Sequence, residues 1–457
     1  MSNVCDWFVE AMHNHAMLRL SAFALLCMII ASCTSVPRKL VGLPAFPESS
    51  KTSSMKVPYP ILLLHGLGQK ADVWHGEATT YFKKDLGLRY GGDLKVNGRG
   101  ALQRSLAGNG DADFYTVQFR NPVDSVRAWT TELNACIDHV RSVTGADRVI
   151  LIGYSMGGLA ARSYLVENLR DHHVKRLITI GTPHDGSPYA RVWNWKTSLK
   201  RCVDEQNVVL AQPCKAALAT LTAVEGDVPF DAPAVRDLRR PEDDGVFLAG
   251  LNKRAHPLDV EYVSVIGDVD VVDGVKKLQP QAMQEVFRKV LSVFGGSLSE
   301  LFADGDGVVS TRSQDMMNVA FFKADPSRRR TSRVVNISTL HVAHLARNSD
   351  VQRASLDERA SIVAARVCVR SGAPVMLVDV ADHIPLQCSV TIDLKGAQSQ
   401  RYIAPRGSST MVRDHDQLVA RYVVPLQGLD VEAEQTYTFG IAVTNSFGYV
   451  TSTTVVW

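Results

Sequence analysis

The stretch Val149-Ile150-Leu151-Ile152-Gly153-Tyr154-Ser155-Met156-Gly157-Gly158-Leu159 constrains the possible folds of this chain more than any other. A short, β-branched apolar run reads as a buried parallel strand. It stops at Gly153, and Ser155 stands between Gly153 and Gly157. From Gly158 to Leu169 the composition is that of a helix. A strand that turns into a helix over Gly-x-Ser-x-Gly bends too sharply for a Cβ on either side. The serine is left at the strained tip with its hydroxyl exposed. Ser155 also precedes a helix N-terminus, whose dipole favours the negative charge of an acylation transition state. Glycine and serine build ordinary turns as well. The strand before and the helix after favour reading Ser155 as a nucleophile.

The rest of the chain supplies the matching framework. Buried strands are expected at 59–64, 114–119, 176–181, 260–267 and 334–339, and a helix at 123–143 with Val126, Trp129, Leu133, Ile137 and Val140 on one face. Strands alternating with helices predict an α/β fold, a mostly parallel sheet covered on both faces. Gly87 to Gly110 reads as glycine-rich loops, and residues 189–257 as a cap insertion able to form a lid. From Val367 to Trp457 short alternating segments predict an all-β sandwich. A length of 457 residues accommodates two domains. The expected division is 58–365 for the α/β domain and 366–457 for the sandwich.

A formal charge of +3 is too small to suggest nucleic acid as a partner. No phosphate loop, Cys-x-x-Cys pair or His-Glu-x-x-His is present, so no cofactor or metal is expected. Residues 18–31 have the length and apolarity of a signal-peptide core and end in Ile30-Ala31-Ser32-Cys33. This ending resembles a bacterial lipoprotein lipobox. The resemblance implies a signal peptide over 1–32, lipidation of Cys33, a tether over 33–57 and a membrane-anchored place in the bacterial cell envelope. Thr34 after the cysteine favours the outer membrane, and a plain secretory signal is the alternative. Initiation at Met12 or Met17 would give a more regular leader. Export permits disulfides. Cys202 with Cys214 and Cys368 with Cys388 are the expected local pairs, with Cys136 a buried thiol.

An ester-cleaving serine needs a base, an acid to orient that base, and donors for the oxyanion. In a strand–Gly-x-Ser-x-Gly–helix fold the order is Ser, acid, His. For the base, His341 follows the last predicted sheet strand, with His344 three residues on. For the acid, Asp306 lies in Gly-Asp-Gly-Val-Val-Ser, two residues after Asp304, while Asp268 and Asp270 follow the strand at 260–267. The backbone N–H groups of Met156 and Leu67 are the oxyanion candidates. His65 is expected to stabilise its own loop, and His184, like His256, precedes the acid and breaks the order.

His65-Gly66, Gly-Tyr-Ser155-Met-Gly-Gly, Gly181-Thr-Pro-His-Asp-Gly-Ser and Gly-Asp306-Gly-Val-Val-Ser together resemble the bacterial lipase and esterase branch of the α/β-hydrolases. The resemblance covers residues 58 to 350. It implies Ser155 as nucleophile, Asp306 as acid and His341 as base, acting on lipid or other acyl esters. His344 stands where an apolar residue is usual in that branch. Near the C-terminus, Leu426-Gln-Gly-Leu429 and Thr436 to Gly448 resemble the closing strands of a fibronectin type III module, with Tyr437 as its corner tyrosine. The same residues would serve an acyltransferase or a thioesterase. A non-catalytic surface lipoprotein acting through its sandwich is the reading from another class.

Overall fold

A computed structural model describes residues 40, 42–47, 54–97, 102–104, 111–187, 190, 200, 203, 215, 228–229, 232–268, 305–306, 308–338, 341, 351, 353, 356–395, 399–414, 417–429 and 436–457. Cys33, Cys202, Cys214, Asp270, Asp304 and His344 lie outside them, as does most of the expected cap.

Among the described residues, eight strands build the first sheet: β1 (Ile61–Leu64), β2 (Tyr90–Val96), β3 (Leu102–Arg104), β4 (Phe114–Val117), β5 (Val149–Tyr154), β6 (Val174–Ile180), β7 (Glu261–Gly267) and β8 (Ser332–Ile337). Their order is β3-β2-β4-β1-β5-β6-β7-β8. All neighbours run parallel except β3, which is antiparallel to β2. Every residue of β1, β4 and β5 is buried, because helices or loops cover both faces. That is why these strands read as unbroken apolar runs.

Helix α1 (Val126–Thr144) starts where the Ser125 hydroxyl accepts the Ala128 N–H at 3.2 Å and stops where Gly145 turns left-handed at φ 66°. Val126, Trp129, Leu133, Ile137 and Val140 are all buried. They share one core with Leu159 and Ala160 of α2 (Met156–Glu167). Two further helices, α3 (Pro233–Asp237) and α4 (Val246–Lys253), come from the cap region. Asp237 of α3 accepts the Val126 N–H at 2.8 Å, so this region also helps cap α1.

Two expectations need correction. The glycine-rich segment 87–110 contains β2 and β3 rather than loops alone. Gly91 and Gly92 weaken the strand signal, but β4 supplies the hydrogen bonds and Gly91 is required. A Cβ there would lie 2.0 Å from the Tyr115 ring. The second correction concerns Cys368 and Cys388, which are free buried thiols. Cys368 points to the outer face of its sheet with Val375 and Leu377, whereas Cys388 belongs to the sandwich core. Successive strand residues face opposite sides, and local spacing cannot show which side each cysteine takes.

The C-terminal region is all-β and antiparallel. It comprises β9 (Ser361–Arg370), β10 (Ala373–Ala381), β11 (Ser389–Lys395), β12 (Gln400–Ala404), β13 (Thr410–Asp414), β14 (Gln417–Pro425), β15 (Thr438–Thr444) and β16 (Val450–Val456). They form two four-stranded sheets, ordered β13-β14-β10-β9 and β12-β11-β15-β16, with one apolar core between them. The segment 42–47 lies along β9, with Phe46 N–H donating to Val369 O at 3.0 Å and Val369 N–H to Pro44 O at 3.1 Å. Glu358, just before β9, pairs with Arg176 near the start of β6. Arg413 Nη2 donates to Gly145 O, ahead of β5, at 3.4 Å. The sandwich therefore meets the parallel sheet at the N-terminal ends of its strands. Ser155 lies at the opposite end.

Candidate active site

Ser155 connects β5 to α2 with φ 51° and ψ −124°, a left-handed strain for a residue with a Cβ. The turn is enforced by contacts that only glycine allows. A Cβ on Gly157 would lie 2.5 Å from His65 O, and one on Gly153 would lie 2.5 Å from Gly158 Cα. The loop after β1 presses against the serine, since a Cβ on Gly66 would lie 3.0 Å from Ser155 Cβ.

His341 Nε2 is 3.1 Å from Ser155 Oγ, and His341 Nδ1 is 2.7 Å from Asp306 Oδ2. Asp306 and His341 are buried, while the serine is partly exposed. The other carboxylate oxygen of Asp306 accepts the N–H groups of Val308 at 3.1 Å and Val309 at 2.9 Å. His341 N–H donates to Asp306 O at 2.9 Å, which joins the two residues through the main chain as well. The ionised Asp306 makes Nδ1 the protonated nitrogen and leaves Nε2 free to accept from the serine hydroxyl. Asp268 ends up exposed after β7. The structure thus brings together Ser155, His341 and Asp306, three residues separated by up to 186 positions.

Met156 is the first residue of α2, so its N–H has no acceptor within the helix. In the facing loop, Gly66 N–H donates to Gln69 Oε1 at 3.1 Å and Gly68 N–H to Pro122 O at 2.9 Å. Leu67 lies between these two pinned amides. His65 anchors the loop from below, with Nε2 accepting the Phe119 N–H at 3.1 Å and Nδ1 donating to Gly66 O at 2.9 Å. Its ring packs edge-on to Phe119 and Trp129.

The segment around Asp306 is held from Gly181 to Ser187. Ser187 Oγ donates to Val308 O at 2.7 Å, Ser313 Oγ to Gly186 O at 2.6 Å, and His184 N–H to Ser313 O at 2.9 Å. His184 is itself fixed by Arg162 Nη1, 3.1 Å from its Nδ1. Burial lowers the Arg162 guanidinium to about 9, with Asp185 opposing, so it stays charged at neutral pH. Sequence reasoning missed two members of this support. Gln314 joins the end of β7 to the segment after Asp306, accepting Gly267 N–H at 2.8 Å and donating to Val309 O at 2.8 Å. Tyr154 Oη donates to the carbonyl of His341 at 2.5 Å. The signal for Tyr154 was present in the Gly-x-Ser-x-Gly stretch, but its partner is 187 residues away.

Three buried histidines, His65, His184 and His256, are held neutral. Burial lowers His65 to about 4, partly offset by its Gly66 hydrogen bond, and lowers His256 to about 3, aided by Arg162. Burial, Arg162 and His256 hold His184 well below its ordinary value. An unfolded histidine takes up its proton near 6.5, so below that pH the unfolded chain binds protons that the native one refuses. Stability should therefore fall as pH drops from 6.5 towards 4, by about 1.4 kcal/mol per pH unit for each histidine. Thermal unfolding at pH 7 and pH 5 checks this, and equal midpoints would refute it.

Among the described residues, one group of possible metal ligands gathers: Glu261, Glu358 and His383. Arg176 already occupies it, pairing with Glu261 at 2.6 Å and with Glu358. Desolvation raises the Glu358 carboxyl, but the His383 hydrogen bond and charge and the Arg176 guanidinium outweigh it and hold it at about 2. This group lies at the sandwich end of the sheet, away from Ser155, and carries its own cation.

A sequence profile described as the alpha/beta hydrolase fold matches residues 59–199. A triacylglycerol lipase of Burkholderia plantarii is 29% identical over 184 residues, covering 40% of this chain and 44% of that protein. One from Pseudarthrobacter phenanthrenivorans is 32% identical over 134 residues, covering 29% of this chain and 35% of that protein. The chain spans less than half the length of these curated relatives. Among solved structures, a Bacillus licheniformis lipase in mature form is 19% identical, with a TM-score of 0.37, covering 67% of this chain and 92% of that one. The strand order, the strained serine between strand and helix, and the matching profile give one conclusion: the N-terminal domain has the α/β-hydrolase fold.

Proposed function

We propose that the protein is a serine hydrolase of carboxylic esters that works through an acyl-enzyme on Ser155. The observation that carries this reading is the continuous hydrogen-bond chain Ser155–His341–Asp306 at 3.1 and 2.7 Å. Ser155 Oγ attacks the acyl carbon while its proton passes to His341 Nε2. Asp306 stabilises the imidazolium and keeps the ring in the right tautomer. The oxygen of the tetrahedral intermediate takes hydrogen bonds from the N–H groups of Met156 and Leu67. His341 then gives its proton to the departing alcohol. Water repeats the sequence on the acyl-enzyme, releasing the acid and restoring the serine.

The lipase names of two relatives support lipid esters as the substrate class. The lipobox-like Ile30-Ala31-Ser32-Cys33 supports a lipid anchor in the bacterial envelope, which would hold the enzyme at a lipid surface. The test is to follow turnover of a short-chain nitrophenyl ester during titration with a fluorophosphonate. Activity should fall in step with labelling, and peptide mapping should place one phosphonyl group on Ser155. Label on another residue, or turnover that survives complete labelling, would refute the reading.

A further inference from the structure

We infer that Tyr154 is a positioning residue for His341, setting the base through its main chain; this rests on the hydrolase reading above. His341 has two main-chain polar groups, and both are held by residues of the site. Its N–H goes to Asp306 O at 2.9 Å and its carbonyl takes the Tyr154 hydroxyl at 2.5 Å. Tyr154 immediately precedes Ser155 at the end of β5, a strand buried along its whole length. Its side chain is 2% exposed and its ring lies 5.1 Å from the imidazole, tilted by 33°.

Nucleophile and base thus share one reference point. The strand residue that fixes where Ser155 emerges also fixes the height at which His341 stands over it. A hydrogen bond to an uncharged carbonyl leaves the imidazole protons untouched, so the effect of Tyr154 is geometric. It keeps Nε2 at 3.1 Å from Oγ. Small displacements of a catalytic group have large consequences for rate, up to about a hundredfold for 1 Å. Phenylalanine keeps the ring, its packing and its strand propensity. It removes only the hydroxyl and leaves the buried His341 carbonyl without this donor.

The experiment compares Tyr154→Phe with the wild type, using ester turnover, thermal midpoint and crystal structures of both. The expected result is a kcat lower by roughly tenfold to a hundredfold with KM within about twofold. The fluorophosphonate labelling rate should fall in parallel. In the variant crystal the Nε2–Oγ separation should exceed hydrogen-bond length. An unchanged kcat, or a joint loss of kcat, KM and thermal midpoint, would overturn the inference, the latter because it marks a merely structural residue. Absence of ester turnover in the wild type would instead refute the hydrolase reading. In that case the Nε2–Oγ separation in the two crystals still decides whether Tyr154 sets His341.

Discussion

Ser155→Ala is expected to lower kcat for a short-chain nitrophenyl ester by about 10⁶-fold, leaving a residual rate on the order of 10³ to 10⁴ above water. The size of the loss follows from what remains. The N–H groups of Met156 and Leu67, the proposed oxyanion donors, are main-chain and survive the change. What disappears is the proposed covalent step, together with the proton that His341 would take from Ser155 Oγ. The fold should persist for a local reason. Position 155 has φ 51°, and serine and alanine carry the same Cβ, so the strain in the turn is unchanged. The neighbouring constraints at Gly153 and Gly157 do not involve Oγ. Steady-state kinetics and a thermal midpoint on the same preparations check both halves. Turnover within tenfold of the wild type in a folded variant would remove Ser155 from the mechanism.

The parts of the site that are legible in the sequence are those set by backbone physics. Gly153 and Gly157 announce the turn because only glycine fits there, and continuous apolar runs announce strands buried on both faces. Asp306 announces itself through its flanking glycines. Gly305 sits at φ 146°, where a Cβ would lie 2.2 Å from Val309 O. Residues whose meaning is a distant contact stay silent. Gln314 looks like any polar residue in a short helix, and its value lies in reaching Gly267, 47 positions earlier. Tyr154 reads as the variable residue of Gly-x-Ser-x-Gly until His341 is brought above it. The same limit hid β2, whose two glycines lower strand propensity while the close approach of Tyr115 demands one of them. It also misled the pairing of Cys368 with Cys388, where closeness in sequence does not determine which face of a sheet each thiol occupies.

Asp306→Asn should lower kcat by about 10⁴-fold while leaving the backbone of the site in place. The structure dictates which way the new amide points. Asp306 Oδ1 accepts two N–H groups, from Val308 and Val309, and only the amide oxygen can replace it there. The NH₂ group must then face His341 Nδ1, at the position now 2.7 Å away. A donor opposite Nδ1 forces that nitrogen to accept, so the ring proton moves to Nε2. The nitrogen facing Ser155 Oγ then carries a proton and cannot take another. The neutral asparagine also removes the charge that stabilises the imidazolium. Asp268→Asn provides the control, because the exposed Asp268 side chain lies outside the hydrogen-bond chain, and its kcat should stay within about twofold of the wild type. A severe loss at Asp268 with a mild one at Asp306 would reassign the acid. A severe loss at Asp306 alone, with the protein still folded, would support Asp306 as the group that sets the tautomer and charge of the base.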